Sequence, residues 1–151
     1  KEHIHDTSVP MMLTGLDKKP IRAVPMYTKK MDEQGNIWFL SGRSSDHNKE
    51  LNKDNDVQLL YSNTSEMEFL SVYGQAEITS KKEIIDELYS KTDDNYFKGK
   101  DDPEVTAIKV RPQEAYYWDN KSNKYVTLLK LGVGAVTGNQ QDIGEKGKMN
   151  L

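Results

Sequence analysis

Apolar residues in this chain recur in short runs, largely at every second position, and polar turns separate them. This is the pattern of strands on a half-buried sheet. The run Met11-Met12-Leu13-Thr14-Gly15-Leu16 closes at Asp17-Lys18-Lys19-Pro20, and a second run follows from Ile21 to Thr28. That pair predicts a hairpin. A charged turn spans Lys29 to Gly35, and Ile37-Trp38-Phe39-Leu40-Ser41 is dense in residues that suit a pleated surface. Further strands are predicted at Val57 to Ser62 and Phe69 to Thr79, the second placing Leu70, Val72, Gly74, Ala76 and Ile78 on one face. Two more fall at Val105 to Val110 and Ala115 to Trp118, where Pro112 argues against one continuous strand.

Two segments break the alternation. Asp46 to Asp54 reads as a helix with Ser45 as its N-cap. A second helix is predicted from about Ser80, where Ser80-Lys81-Lys82-Glu83 fits a capping box ahead of Ile84, Ile85, Leu88 and Tyr89. From Gly132 to Leu151 the chain is glycine-rich and then polar, which reads as a loop followed by a loose tail. The simplest architecture is mainly β: one domain over residues 1–151, a six-stranded antiparallel barrel with peripheral helices.

Composition narrows the function. The 151 residues are 35% hydrophobic and 30% charged, which suits one solvated globular domain. A formal charge of −3 leaves no broad basic footprint, so no nucleic-acid partner is expected. No apolar run approaches the roughly 20 residues needed to cross a bilayer. The start, Lys1-Glu2-His3-Ile4-His5, has no apolar secretory stretch, and the expected location is the cytoplasm. The absence of cysteine excludes disulfides, thiolate metal sites and thiol nucleophiles.

The segment with most chemistry runs from Ile37 to Leu51, where a strand passes through Gly42 into a helix start. Such a helix start presents unpaired N–H groups and suits a phosphate. Arg43, Ser44, Ser45, His47 and Lys49 surround it, and Arg22 could reach the same anion from an earlier strand. The alternative is a capped helix with solvated surface charge. Other signals are weaker. Gly132-Val133-Gly134-Ala135-Val136-Thr137-Gly138 opens no βαβ unit and has the wrong spacing for a dinucleotide fingerprint. The pair His3 and His5 reads as a frayed terminus rather than a metal site, and Asp101, Asp102 and Glu104 read as a solvated turn. No serine–histidine–acid triad is recognisable.

Six segments in register carry a resemblance: Arg22 to Met26, Asn36 to Ser41, Ser45 to Lys49, Phe69 to Ala76, Phe97 to Pro103 and Ala115 to Asp119. In order and spacing the chain resembles the general stress protein 26 family, related to pyridoxamine-phosphate oxidase, from about Val9 to the glycine-rich end. The resemblance implies an FMN-binding split β-barrel that works as a homodimer, with two flavin sites at the subunit interface. By motif position it implies that Arg22, Ser41 and Ser45 hold the flavin phosphate. His47 stands where the oxidases carry lysine, and Lys49 could supply the missing charge. The backbone of Val24, Pro25, Met26 and Tyr27, and of Phe39, Leu40 and Ser41, would lie along the flavin ring and ribityl chain. Trp118 is the expected flavin or substrate neighbour, offered across the interface. No arginine follows Arg111, so the dianionic substrate of the true oxidases lacks its partners. The implied function is an FMN-dependent oxidoreductase, with a non-catalytic flavin-binding, sensing or interaction protein as the alternative.

Overall fold

A computed structural model of the chain describes residues 9–65, 67–118 and 146–151. Its elements in chain order are β1 (Met11–Thr14), β2 (Arg22–Pro25), β3 (Thr28–Met31), β4 (Ile37–Gly42), α1 (Asp46–Lys53), β5 (Asp56–Asn63) and β6 (Glu68–Thr79). Then come α2 (Lys82–Leu88), a 3₁₀ turn (Lys91–Asn95), β7 (Val105–Trp118) and β8 (Lys146–Asn150). The strands form one antiparallel sheet in the order β2-β1-β5-β6-β7-β4-β3, with β8 added to β7.

That order makes the sheet curl. β2 and β3 lie at opposite ends of the path, yet only Met26 and Tyr27 connect them. Pro25 and Thr28 are three Cα steps apart, at most about 11 Å, so the two edges must be brought together. The Met26 N–H, donating to the Pro10 carbonyl at 3.1 Å, ties the connection back to the start of β1. The curl encloses a core that includes Met12, Phe39, Val57, Leu59, Val72 and Ile108, all fully buried. The period-two face of β6 behaves as predicted, with Leu70, Val72 and Ala76 buried and Ile78 packed against the same core. A second cluster, from Leu40, Ile85, Leu88, Val105 and Ala107, seats α2 against β4 and β7.

The structure departs from the sequence reading in four places. The run Ile21 to Thr28 holds β2 and only the first residue of β3, because the chain turns between sheet edges at Met26 and Tyr27; β3 then continues through Met31, so the charged turn expected from Lys29 begins only at Asp32. Val105 to Trp118 is one continuous strand despite Pro112. A bulge resolves the conflict: Tyr73 pairs with Glu114 and Gly74 with Pro112, so Gln113 is the extra residue. On its other edge β7 pairs with β4 up to Val110 and with β8 from Glu114, so Pro112 sits where no ladder donor is required. Gly74 permits the close approach, since a Cβ there would lie 2.2 Å from the Arg111 carbonyl oxygen. Third, Ser80 caps nothing. Helix α2 starts later, Thr79 Oγ1 accepts from the Lys81 N–H at 3.2 Å, and the true capping box joins Ser90 with Asp93. Finally, residues 146–150 form β8 rather than a tail; the glycine-rich segment 132–138, with His3 and His5, lies outside the described residues.

The predicted helix over Asp46 to Asp54 is found with Ser45 as its cap, Ser45 Oγ accepting from the Asn48 N–H at 3.2 Å. Among the described residues no helix is long and apolar enough to cross a membrane.

Candidate functional site

Where the sheet curls, the β2–β3 connection faces the C-terminal end of β4. Between them opens a cavity of about 450 Å³. Pro25, Met26 and Tyr27 form one wall, and Leu40, Ser41 and Gly42 the other. His47 on the first turn of α1, Glu104 just before β7, and Val9 and Lys29 complete it with Asp93, Tyr96 and Phe97 from the 3₁₀ region. This is the size of a pocket for a drug-sized or cofactor-sized ligand, mostly apolar, with a polar end at α1 and a further polar pair, Lys29 and Asp93.

Six of the twelve residues expected at the site therefore line the cavity: Pro25, Met26, Tyr27, Leu40, Ser41 and His47. The rest stand behind it or elsewhere. Phe39 is fully buried in the core, and Val24 packs against the same core from the edge. Ser45 is engaged as the α1 cap, and Lys49 is exposed on that helix. Arg22 pairs with Asp46 at 3.4 Å, both side chains substantially exposed. Trp118 lies at the far end of β7, stacked on Tyr116 with ring centroids 6.4 Å apart. It does not line this cavity.

The polar end has a definite hydrogen-bond order. Thr106 Oγ1 donates to the Ser41 carbonyl at 3.1 Å, so the Ser41 hydroxyl must donate in its 2.7 Å bond to Thr106. Asn48 Nδ2 donates to the same Thr106 oxygen at 2.9 Å. This buried trio locks the end of β4 to α1, and it commits the Ser41 proton away from any ligand. In the strand-to-helix turn, the Ser44 N–H donates to Glu104 Oε2 at 3.1 Å and the Ser44 hydroxyl donates to the same oxygen. These bonds hold the Glu104 carboxyl below its ordinary value. Arg43 turns aside, its Nε donating to the Pro103 carbonyl at 2.8 Å.

Thr14 Oγ1, Asn48 Oδ1 and His47 Nε2 are buried with no hydrogen-bond partner among the described residues, and of these three residues it is His47 that lines the cavity. Burial pushes its pKa down, Asp46 opposes that, and Arg22 adds to it, so the ring lies below its ordinary value and is neutral near pH 7. A buried nitrogen without a partner is costly unless a ligand or water completes it. Two ribbons of backbone with aromatic and apolar cover, and one uncommitted imidazole, fit a planar heterocycle with a polar or anionic tail. The donors expected to meet that tail are shared with carboxylates: Arg22 with Asp46, and Ser44 with Glu104. A phosphate would take over partners that these two side chains now hold.

Sequence reasoning missed Val9, Lys29, Gly42, Asp93, Tyr96, Phe97 and Glu104. Phe97 had a signal, since it begins one of the segments that carry the family resemblance, and Asp93 had one in the Ser90-Thr92-Asp93 capping pattern. Among the described residues no group of three histidine or acidic side chains could hold a metal ion, and Asp101, Asp102 and Glu104 serve turn hydrogen bonds and ion pairs.

The curled sheet places the chain in a known class of fold. The chain belongs to the pyridoxamine 5'-phosphate oxidase-like family, whose model matches residues 1–142. Similar folds are found in a protein from Clostridium acetobutylicum related to general stress protein 26 of the pyridoxinephosphate oxidase family. That similarity has a TM-score of 0.68 at 21% identity and covers 78% of this chain and 84% of that one. General stress protein 26 from Bacillus anthracis str. Sterne gives a TM-score of 0.65 at 16% identity, covering 77% and 88%. The general stress FMN/FAD binding protein of Xanthomonas citri gives 0.64 at 22% identity, covering 76% and 82%. No curated protein matches the sequence.

Proposed function

We propose that the chain binds FMN in the cavity between the β2–β3 connection and β4, as a cytoplasmic homodimer, and uses it in an oxidoreductase reaction on a small molecule. The observation that carries this reading is the uncommitted, buried His47 Nε2 at the polar end of a cavity of about 450 Å³. Family membership and the flavin-binding relative from Xanthomonas citri support the choice of ligand. When bound, the flavin supplies the electron transfer. The chain would supply position: Pro25 to Tyr27 and Leu40 to Gly42 would hold the ring, while His47 in the cavity, with Arg22 and Ser44 beside it, would hold the phosphate. His47, neutral when alone, takes up a proton as the dianion approaches. Pyridoxamine-phosphate oxidation is not proposed, because residues 112–151 contain no arginine to hold that substrate.

The dimer reading is supported by the outer face of the sheet. Met11, Leu60, Ser71, Tyr116 and Lys148 lie side by side across β1, β5, β6, β7 and β8. Met11, Leu60, Tyr116 and the neighbouring Trp118 are each more than a third exposed. A two-fold interface over this face would cover them, and through it Trp118 would approach the partner's cavity. The direct test is the absorbance spectrum of protein purified without added cofactor, followed by fluorescence titration with FMN and light scattering. Flavin bands, saturable FMN binding and a dimer are expected. A colourless monomer that leaves FMN fluorescence unchanged would overturn the reading.

A further inference from the structure

A second cavity, of about 440 Å³, adjoins the first and shares Tyr27, Lys29, Asp93 and Tyr96 with it. Its character differs. Hydroxyls of Ser90 and Thr92 and the amide of Asn95 line it, and its floor is an ion pair. Lys29 Nζ lies 2.7 Å from Asp93 Oδ2, with the two side chains only 14% and 12% exposed. The Ser90 N–H and hydroxyl donate to the same oxygen, at 2.8 and 3.1 Å. Three donors thus converge on Oδ2, and Oδ1 takes no part in these bonds. It is the acceptor that remains on a carboxylate held in place by its own capping box.

Charge then limits the ligand. The compartment carries one lysine and one aspartate, already paired. An anion would meet Asp93 with the nearest cation committed, and a cation would compete with Lys29 for the same carboxylate. The rim selects shape. Tyr27 and Tyr96 are 56% and 66% exposed, their ring centroids 6.3 Å apart and inclined at 47°. Exposed aromatic faces at the boundary of two cavities offer stacking to a flat ring.

We propose that this second compartment binds an uncharged, planar, conjugated ring carrying an N–H or O–H donor, with the donor on Asp93 Oδ1 and the ring against Tyr27 and Tyr96. That this ring is the substrate of a neighbouring flavin rests on the reading above; the binding itself does not.

Three probes of one shape separate the requirements: benzamide is neutral with a donor, benzoate is anionic, and methyl benzoate is neutral without a donor. Each is titrated into the flavin-free full chain, following the NMR shifts of Asp93 and Tyr96. Benzamide should bind at least roughly tenfold tighter than benzoate and several-fold tighter than methyl benzoate, the scale of an unpaired buried acceptor. Tyr96→Ala should weaken benzamide several-fold and Tyr96→Phe should restore it, because the ring and not the hydroxyl makes the contact. Equal or tighter binding of benzoate, no saturable shift with benzamide, or indifference to Tyr96→Ala would overturn the proposal. An FMN titration of the same sample keeps the two readings apart. Benzamide selectivity without FMN binding would sink only the flavin reading, and FMN binding without that selectivity would sink only this one.

Discussion

The two ends of β4 use similar side chains to opposite effect. At its N-terminal end, Asp32 gathers four donors: the Gln34 and Asn36 N–H groups at 3.0 and 2.9 Å, Asn36 Nδ2 at 3.0 Å and Trp38 Nε1 at 2.9 Å. Burial works against the charge, yet the bonds from Trp38 and Asn36 win and hold the carboxyl below its ordinary value. At the C-terminal end, Glu104 and Asp46 hold donors from the turn and from β2, while His47 Nε2 has no partner among the described residues. The first end is closed and specifies a turn. The second is open, and its partners can be exchanged. A polar cluster that satisfies itself is architecture, whereas one that leaves a buried atom over is prepared for something else.

The comparison breaks most completely in the middle of the strand. Phe39 is fully buried between the two ends. Phe39→Ala should cost about 3–5 kcal/mol in urea unfolding and disturb both ends together. If only ligand binding fell and stability held, Phe39 would belong to the site and not to the core.

Next in size is the closed end. Asp32→Ala should cost about 2 kcal/mol, less than four charged hydrogen bonds would suggest because solvent reaches this turn. FMN affinity should not change. The pH dependence follows from the depressed carboxyl. Its contribution is complete above the ordinary aspartate value and is lost as pH falls through the lower folded value. The natural protein and Asp32→Asn should therefore differ in stability at pH 6 and converge as acid protonates the folded carboxyl, below the ordinary aspartate value. A gap that persists in acid would mean that the amide disrupts the turn by geometry alone.

The open end should answer through ligand and not through stability. Arg22→Ala should weaken FMN by about 1.5 kcal/mol, the low end for a charged hydrogen bond, since Arg22 must first leave Asp46. Riboflavin, without the phosphate, should bind as before. Asp46→Asn frees the guanidinium and should tighten FMN a few-fold. Equal losses for both flavins with Arg22→Ala would show that it acts through folding.

The smallest effect concerns His47, whose folded pKa lies below its ordinary value. A phosphate nearby raises it, so binding takes up a proton, and FMN should bind a few-fold tighter as pH falls from about 8 toward 6.5. His47→Lys should flatten that dependence, because its charge is constant over the range. Matching pH profiles for the two proteins would remove His47 from the phosphate end.

The sequence by itself determined what depends on neighbouring residues. Alternation placed the faces of β6, Ser45 with Asp46 announced α1, and the segments around Arg22, Asn36 and Phe69 carried the family. Features settled by distant partners were not legible. Pro112 could stay inside β7 only because Gly74 leaves room opposite it and because two different strands share β7's other edge. Lys29 meets Asp93 across 64 positions, and Ser44 meets Glu104 across 60. Those pairings decide which charges are neutralised and which nitrogen is left over. Periodicity and caps act within a few residues, whereas a cavity is lined by whatever the curl of a sheet brings to its ends.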